Sequence, residues 1–315
     1  MKKILVTGGA GNVGSALVEK LIEKEDNFVV IADDLSTGFL YKLPKNHKER
    51  WRFEKCDVNN ESLLSALMKT EKFDYVFHFA AVVGVQRTQE HPISVLRDID
   101  GIKNILDLSI NSSVKHVYFS SSSEVYGEPV ELPQHEYKTP LNSRVPYAVV
   151  KNVAECFFRS YEQEYGLNYT IFRFFNTYGP NQSTDFVVSR FLAAALKGQD
   201  ITIYGDGSQT RTFSYVDDTI DTCLACHYQN KIINDVINIG SDKLVTINEL
   251  AQLVISMTNS KSKVIFLPPL KEGDMTRRQP DNSKMRELLG RELIPLDEGI
   301  KRMMNDKNYL ASIGV

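Results

Sequence analysis

The run Lys3-Ile4-Leu5-Val6-Thr7 passes without a break into Gly8-Gly9-Ala10-Gly11-Asn12-Val13-Gly14. A helical pattern follows, with Val13, Leu17 and Leu21 on one face of the stretch Val13 to Glu25. A strand that turns at once into a helix needs residues that allow a tight turn and close packing, and glycines at 8, 11 and 14 supply both. The helix start leaves backbone N–H groups unpaired and sets a positive dipole end at the turn, which suits phosphates. Gly8, Gly11, Asn12, Val13 and Gly14 are therefore the expected seat of a dinucleotide pyrophosphate.

The alternation continues beyond that unit. Phe28 to Ala32, Asp74 to Phe79, His116 to Ser120 and Tyr169 to Phe174 read as strands, with helical stretches at Ile93 to Ser109 and Val145 to Tyr165. Strands that are continuous apolar runs, separated by helices, belong to a parallel sheet covered on both faces. The expected fold is a doubly wound α/β sheet of the Rossmann kind. Past Gly179 the rhythm changes, and helices at Phe186 to Leu196 and Ile247 to Met257 mix with isolated strands at Ile201 to Tyr204 and Val264 to Leu267. Val236 to Ile239 still suits the main sheet. We expect a cofactor domain of residues 1–178 plus about 213–240, and a smaller, discontinuous α/β substrate domain of residues 179–212 and 241–315.

Asp33 ends the second strand, about twenty residues beyond the glycines. A carboxylate there takes the adenosine ribose hydroxyls and repels a 2′-phosphate, so NAD is expected over NADP. Asp34 is the alternative holder, and one of the two is expected only to cap the next turn. Asp57 closes the following apolar stretch, where it either meets the adenine amine or serves as a turn residue.

Lys plus Arg number 37 and Asp plus Glu 40, so the net charge of −3 gives no basic excess for nucleic acid. The run Lys42 to Arg52 is short and interrupted by Pro44, and reads as a solvated loop. No apolar stretch approaches a membrane span, and Ile4-Leu5-Val6 is too short for a secretion signal, so a cytoplasmic protein is expected. Cys56, Cys156, Cys223 and Cys226 are too scattered for a disulfide framework. Cys223-Leu-Ala-Cys226-His227 matches a haem-attachment or redox pattern, but the helical stretch Val216 to Tyr228 makes both cysteines small core residues. His91, His116 and His135 lack ligand spacing, and no metal is expected.

Tyr147 and Lys151 stand four residues apart in a helical stretch, which places phenol and ammonium on one face. A nearby positive charge favours the phenolate, so the Tyr147 pKa is expected to fall toward working pH. A phenol tuned in that way accepts a proton from a sugar hydroxyl while a nicotinamide takes the hydride.

Thr7-Gly8-Gly9-Ala10-Gly11, Asp33, His78-Phe79-Ala80-Ala81, Ser120 to Gly127, Tyr147-x-x-x-Lys151 and Asn176-Thr177-Tyr178-Gly179-Pro180 occur in that order. With Gly205-Asp206-Gly207, Arg211 and Tyr215-Val216-Asp217-Asp218, they resemble the extended short-chain dehydrogenases that modify nucleotide sugars. The likeness covers essentially the whole chain, and in pattern it is nearest to UDP-glucose 4-epimerases and UDP-glucuronate decarboxylases. It implies that Tyr147 is the acid/base at the sugar C4 hydroxyl, that Lys151 holds the nicotinamide ribose, and that Ser122 relays or orients the proton. It adds Val58 and Ala80 to the cofactor set. Asn176 and Arg211 would hold the diphosphate, Tyr204 would stack on the base, and Lys271 and Asp274 match a late phosphate- and ribose-contacting pair. A homodimer is implied through the helix bearing Tyr147 and Lys151, where Phe157, Phe158 and Tyr161 suit either that contact or core packing.

The chain departs from the family pattern at several points. Asn12 and Val13 replace an aromatic residue and Ile, and Lys271 replaces Arg. Asp98 stands for the usual Asn and needs a partner if buried. Arg278 occupies a position that often limits sugar size. The step Ser123-Glu124 lacks the Asp acid of the 4,6-dehydratases, which argues against dehydration; decarboxylases have a Ser-Glu step after a Thr, and many 4-epimerases also carry the Glu. The leading expectation is a nucleotide-sugar 4-epimerase acting through a 4-keto intermediate. A 4-dehydrogenase or a decarboxylase shares the first half of that chemistry, and decarboxylation calls for an Arg such as Arg87, Arg277 or Arg278 at the carboxylate. A non-catalytic NAD sensor is the alternative of another class, and the set Tyr147, Lys151, Ser122 argues against it.

Overall fold

The computed structural model describes residues 1–269 and 277–315. Side chains alternate along the first strand, and the two resulting faces meet two different cores. Ile4 and Val6 pack with Leu17, Val18 and Leu21, whereas Leu5 packs with Ile102, Ile105 and Phe158. Each such side chain, fully buried, contributes about 1.5–3 kcal/mol of apolar transfer. Because both faces are covered, a sheet of nearly all-apolar strands is the stable arrangement.

Seven strands form that sheet: β1 (Lys2–Thr7), β2 (Asn27–Asp33), β3 (Trp51–Lys55), β4 (Tyr75–His78), β5 (His116–Ser122), β6 (Asn168–Phe174) and β7 (Asp235–Ile239). Their order is β7-β6-β5-β4-β1-β2-β3, and every pairing is parallel. The chain winds one way from β1 to β3 and the other way from β4 onward. The crevice beyond the carboxyl ends of β1 and β4 is thus the topological switch point, where ligands bind in such sheets. The smaller region holds the helices Val187–Leu196 and Ile247–Thr258. There Ile201–Tyr204 pairs with Val264–Leu267, and Thr210–Thr212 with Leu244–Thr246. Among the described residues no helix is long and apolar enough to cross a membrane.

Several local readings differ from expectation. The first helix is Asn12–Leu21 and stops short of Glu25, because the Asn27 side chain donates to the Leu21 carbonyl at 2.9 Å and turns the chain into β2. The stretch from Ile93 divides into the helices Pro92–Leu96 and Asp98–Ile110, with Pro92 opening a separate turn. The run from Lys42 to Arg52 is not a solvated loop throughout: Lys42 is only 5% exposed, and Trp51 and Arg52 begin β3. In β3 the alternation Trp51-Arg52-Phe53-Glu54 is a period-two strand signal that the charged neighbourhood concealed. Cys223 and Cys226 are buried in the core beside Ile220, as expected for small packing residues.

Candidate functional site

The glycine turn is shaped by two close approaches. Gly8 has φ of 68°, and a Cβ there would lie 2.6 Å from the Ala80 nitrogen at the end of β4. A Cβ on Gly14 would lie 2.2 Å from the Gly8 carbonyl oxygen, so the helix packs on the strand only with glycine. Gly11 caps the helix without a side-chain hydrogen bond, and Asn12 Oδ1 is buried with no partner among the described residues. This uncovered helix start lines a cavity of about 460 Å³ at the switch point.

Asp33 forms the wall at one end of the cavity. Its Oδ2 accepts the Ala10 N–H at 2.9 Å and its Oδ1 the Leu35 N–H at 2.9 Å, while burial pushes its pKa up. Asp34 closes a turn by accepting from the Ser36 N–H and hydroxyl. Asp57 serves the turn, accepting the Asn59 N–H at 2.9 Å, and with Val58 it lines the cavity. The uncovered helix start, the buried acid and the glycine cradle fit a dinucleotide.

Tyr147 and Lys151 lie at the other end, on the helix Pro146–Tyr165. Lys151 Nζ donates to the Ser120 carbonyl at 2.7 Å and sits 5.7 Å from the centre of the Tyr147 ring. Burial lowers the Lys151 pKa to about 8, against the attraction of Asp98. Tyr147 hydrogen-bonds Ser122, yet its pKa is raised rather than lowered. Burial is the largest cause, and the Glu124 and Asp98 carboxylates add to it, opposed by the Ser122 hydrogen bond and Arg278. The expected fall is thus not a property of the protein's own charges, because burial and the two carboxylates prevail over the Ser122 hydrogen bond and Arg278. Asp98 has the partners that its burial requires, accepting the Val82 N–H at 2.8 Å and a hydrogen bond from Asn59. His78 is a packed residue, bonded to the Thr7 hydroxyl at 2.8 Å, with its pKa lowered by burial to about 3.

Arg278, 7% exposed, brings its guanidinium to 3.5 Å from the Glu124 carboxylate beside Tyr147. Its Nε is buried with no hydrogen-bond partner among the described residues. Arg87, also in the cavity wall, donates to the Val83 carbonyl at 3.0 Å and lies 3.8 Å from Asp185.

The cavity brings together the expected cofactor residues Gly8, Gly11, Asn12, Val13, Gly14, Asp33, Asp57, Val58 and Ala80 with Ser122, Glu124, Tyr147, Lys151, Asn176 and Arg278. Tyr204 and Arg211 stand outside its lining: Tyr204 has the Arg190 guanidinium 5.8 Å from its ring centre, and Arg211 is buried and donates to the Thr210 carbonyl. Lys271 and Asp274 lie outside the described residues. No group of acids, histidines and cysteines able to hold a metal occurs among the described residues.

A supporting layer escaped the sequence reading. Glu155 lies one turn beyond Lys151 and forms a bidentate pair with Arg173, at 2.9 and 2.6 Å. Ser121 donates to the same carboxylate at 2.7 Å, and Arg173 reaches the Tyr126 hydroxyl at 2.8 Å. These bonds pin both sides of the segment that carries Ser122 and Glu124. The available signal was Arg173 itself, a charge set between Phe172 and Phe174 in an apolar strand, where only a buried partner makes it tolerable.

Residues 4–240 match the model of the NAD dependent epimerase/dehydratase family, and the chain belongs to that family. It is an enzyme family of nucleotide-sugar chemistry that uses NAD. The chain is 35% identical over 303 residues to UDP-N-acetyl-alpha-D-glucosaminuronate decarboxylase of Bacillus cytotoxicus, covering 91% of each. Its fold is similar to the UDP-glucose 4-epimerase of Thermotoga maritima, solved with UDP-glucose, at a TM-score of 0.91 and 32% identity over 99% of this chain and 100% of that one. It is similar also to the NAD complex of the UDP-glucose 4-epimerase of Thermus thermophilus, at a TM-score of 0.88 and 26% identity over 96% and 98%.

Proposed function

We propose that this protein oxidises C4 of a nucleotide-linked uronic acid and removes its carboxyl group as carbon dioxide. The observation that carries the reading is Arg278, a buried guanidinium beside Tyr147 whose Nε has no partner among the described residues. A buried guanidinium whose Nε has no hydrogen-bond partner among the described residues has room for an acceptor, and an anionic one suits it best. A sugar carboxylate supplies one on the ring itself, where a neutral hexose offers only hydroxyls.

NAD, when bound, supplies the acceptor and donor of hydride at C4. Tyr147, hydrogen-bonded to Ser122, takes the proton of the C4 hydroxyl. Lys151 holds the ribose of the cofactor, and Asp33 its adenosine ribose. Once C4 is a carbonyl, the C6 carboxylate belongs to a β-keto acid. The C5–C6 bond breaks, its electron pair moves into the C4–C5 bond and onto the C4 oxygen, and C5 then takes a proton. Tyr147 and Ser122 stabilise the negative oxygen, while Arg278 recognises the carboxylate and orients the bond that breaks. Tyr204 and Arg211 take the base and the diphosphate with Asn176, from the smaller region. A homodimer through the helix Pro146–Tyr165 belongs to the same reading, with Tyr165 54% exposed on it; Phe158 is core.

A second reading, 4-epimerisation, is favoured by the likeness to the Thermotoga maritima enzyme along the whole chain. It shares the C4 oxidation and replaces bond cleavage by return of hydride to the other face. A panel of UDP-glucuronate, UDP-N-acetylglucosaminuronate, UDP-glucose and UDP-N-acetylglucosamine, followed by mass spectrometry, separates the two. Loss of carbon dioxide from a uronate is the expected result. Epimers of unchanged mass from the neutral sugars, with the uronates untouched, would make the protein an epimerase.

A further inference from the structure

The loop after β2 folds back over Asp33 and delivers a lysine to it. A Cβ on Gly38 would stand 2.6 Å from Asp33 Oδ1 and 2.9 Å from the Ala10 side chain, so the loop crosses the acid at close range. The Phe39 N–H then donates to the Ala10 carbonyl at 3.1 Å, which ties the loop to the glycine turn. The short turn Leu40–Lys42 follows, and the Lys42 N–H donates to the Phe39 carbonyl at 3.0 Å. Lys42 is sent inward: its side chain lines the cavity, and its ammonium lies 5.1 Å and 5.9 Å from the ring centres of Phe39 and Tyr41.

The ammonium makes no hydrogen bond and no ion pair within 4 Å among the described residues, although the Asp33 carboxylate acts on it electrostatically. Both Asp33 oxygens already accept backbone N–H groups. A buried ammonium is costly without an acceptor, and burial lowers its pKa accordingly. Such a group faces an anion better than a neutral ribose. In dinucleotide sites a basic side chain near the acid position is what accommodates a 2′-phosphate.

We propose that Lys42 makes the adenosine end a binding site for a 2′-phosphate, so that the protein takes the 2′-phosphorylated dinucleotide as well as NAD. The lysine offsets the repulsion that Asp33 alone would exert. Thr37 also lines the cavity, and its hydroxyl gives a further donor.

The test is equilibrium competition, on the full-length protein, for bound etheno-NAD between ADP-ribose and 2′-phospho-ADP-ribose, read by fluorescence. In the wild type the two competitors are expected to bind within about tenfold of each other. In Lys42→Met the phosphorylated ligand should weaken at least about tenfold more than the plain one, and Lys42→Arg should restore it. A wild-type preference for ADP-ribose above about tenfold overturns the proposal, whatever the variants do. Equal weakening of both ligands in a folded Lys42→Met protein overturns it too, and makes Lys42 a general support of the pocket.

Discussion

Two arginine–glutamate pairs flank the segment from Ser121 to Glu124, and they are built to opposite ends. Arg173 and Glu155 are 1% and 0% exposed at their side chains, and they meet in a fork that Ser121, Tyr126 and Arg159 complete. Arg278 and Glu124 meet at 3.5 Å, and the buried Nε of the arginine has no hydrogen-bond partner among the described residues. The first pair is closed on itself: each Glu155 oxygen accepts two hydrogen bonds, and every nitrogen of the Arg173 guanidinium donates. The second faces the cavity and holds capacity in reserve. The same two residue types therefore serve rigidity in one place and recognition in the other, and the number of unused hydrogen-bonding atoms distinguishes them.

If that contrast holds, breaking the closed pair has the larger effect on folding. Arg173→Met leaves the buried Glu155 with only the half-exposed Arg159 and Ser121 as partners, and should destabilise the protein by about 3 kcal/mol in urea unfolding. Burial alone would raise the Glu155 carboxyl, but the Arg173 hydrogen bonds prevail and hold it below the ordinary 4.5. A depressed carboxyl contributes stability that is complete above its unfolded pKa and disappears as pH falls through the folded value. In the variant burial raises the Glu155 carboxyl, which takes a proton above pH 4.5, so the gap should begin to narrow there and go on narrowing below about 4.5, where the wild type loses its own contribution. A gap that stays constant into acid would mean that Arg173 stabilises by packing alone.

Removing the open arginine should do the reverse. Arg278→Met is expected to change unfolding free energy by less than about 1 kcal/mol, since the cavity readmits water to Glu124. Turnover of a uronate should fall by about a hundredfold, the scale of one charged donor at a reacting group. Urea unfolding and steady-state kinetics on the same preparation would decide. If Arg278→Met unfolded as readily as Arg173→Met, the distinction between the pairs would not stand.

The contrast also explains what was legible in the chain. The glycine turn, Asp33 and the Tyr147–Lys151 pair are local patterns, in which spacing along one strand or helix fixes the geometry. The sheet was readable for the same reason, because apolar runs between helices leave few topologies. The Glu155–Arg173 fork joins residues of a helix and a strand, and only the oddity of Arg173 between two phenylalanines marked it. Lys42 was misread because its neighbours Lys45, Lys48 and Arg50 are solvent-facing charges, whereas the hydrogen bond from Phe39 to Ala10 turns this one inward. The direction of the Tyr147 pKa was missed because burial and the Glu124 and Asp98 carboxylates, which no local spacing shows, raise it.

Asp98 extends the comparison to a pairing that is neither a fork nor a contact between partners. It lines the cavity, is held by the Val82 N–H and by Asn59, and acts on Lys151 through the field alone. Asp98→Asn keeps a hydrogen-bonding side chain of the same shape and removes only the charge. Burial already places the Lys151 pKa at about 8, so losing the carboxylate should lower it further, as followed by NMR titration of labelled lysine. A folded pKa below the ordinary 10.5 means that this group withholds stability while charged, and returns it as pH rises from the folded to the unfolded value. The rising limb of stability against pH should therefore begin at lower pH in Asp98→Asn than in wild type. An unmoved limb and an unmoved lysine titration would show that Asp98 serves only to bind Val82 and Asn59, which would place it with the closed pair rather than with the open one.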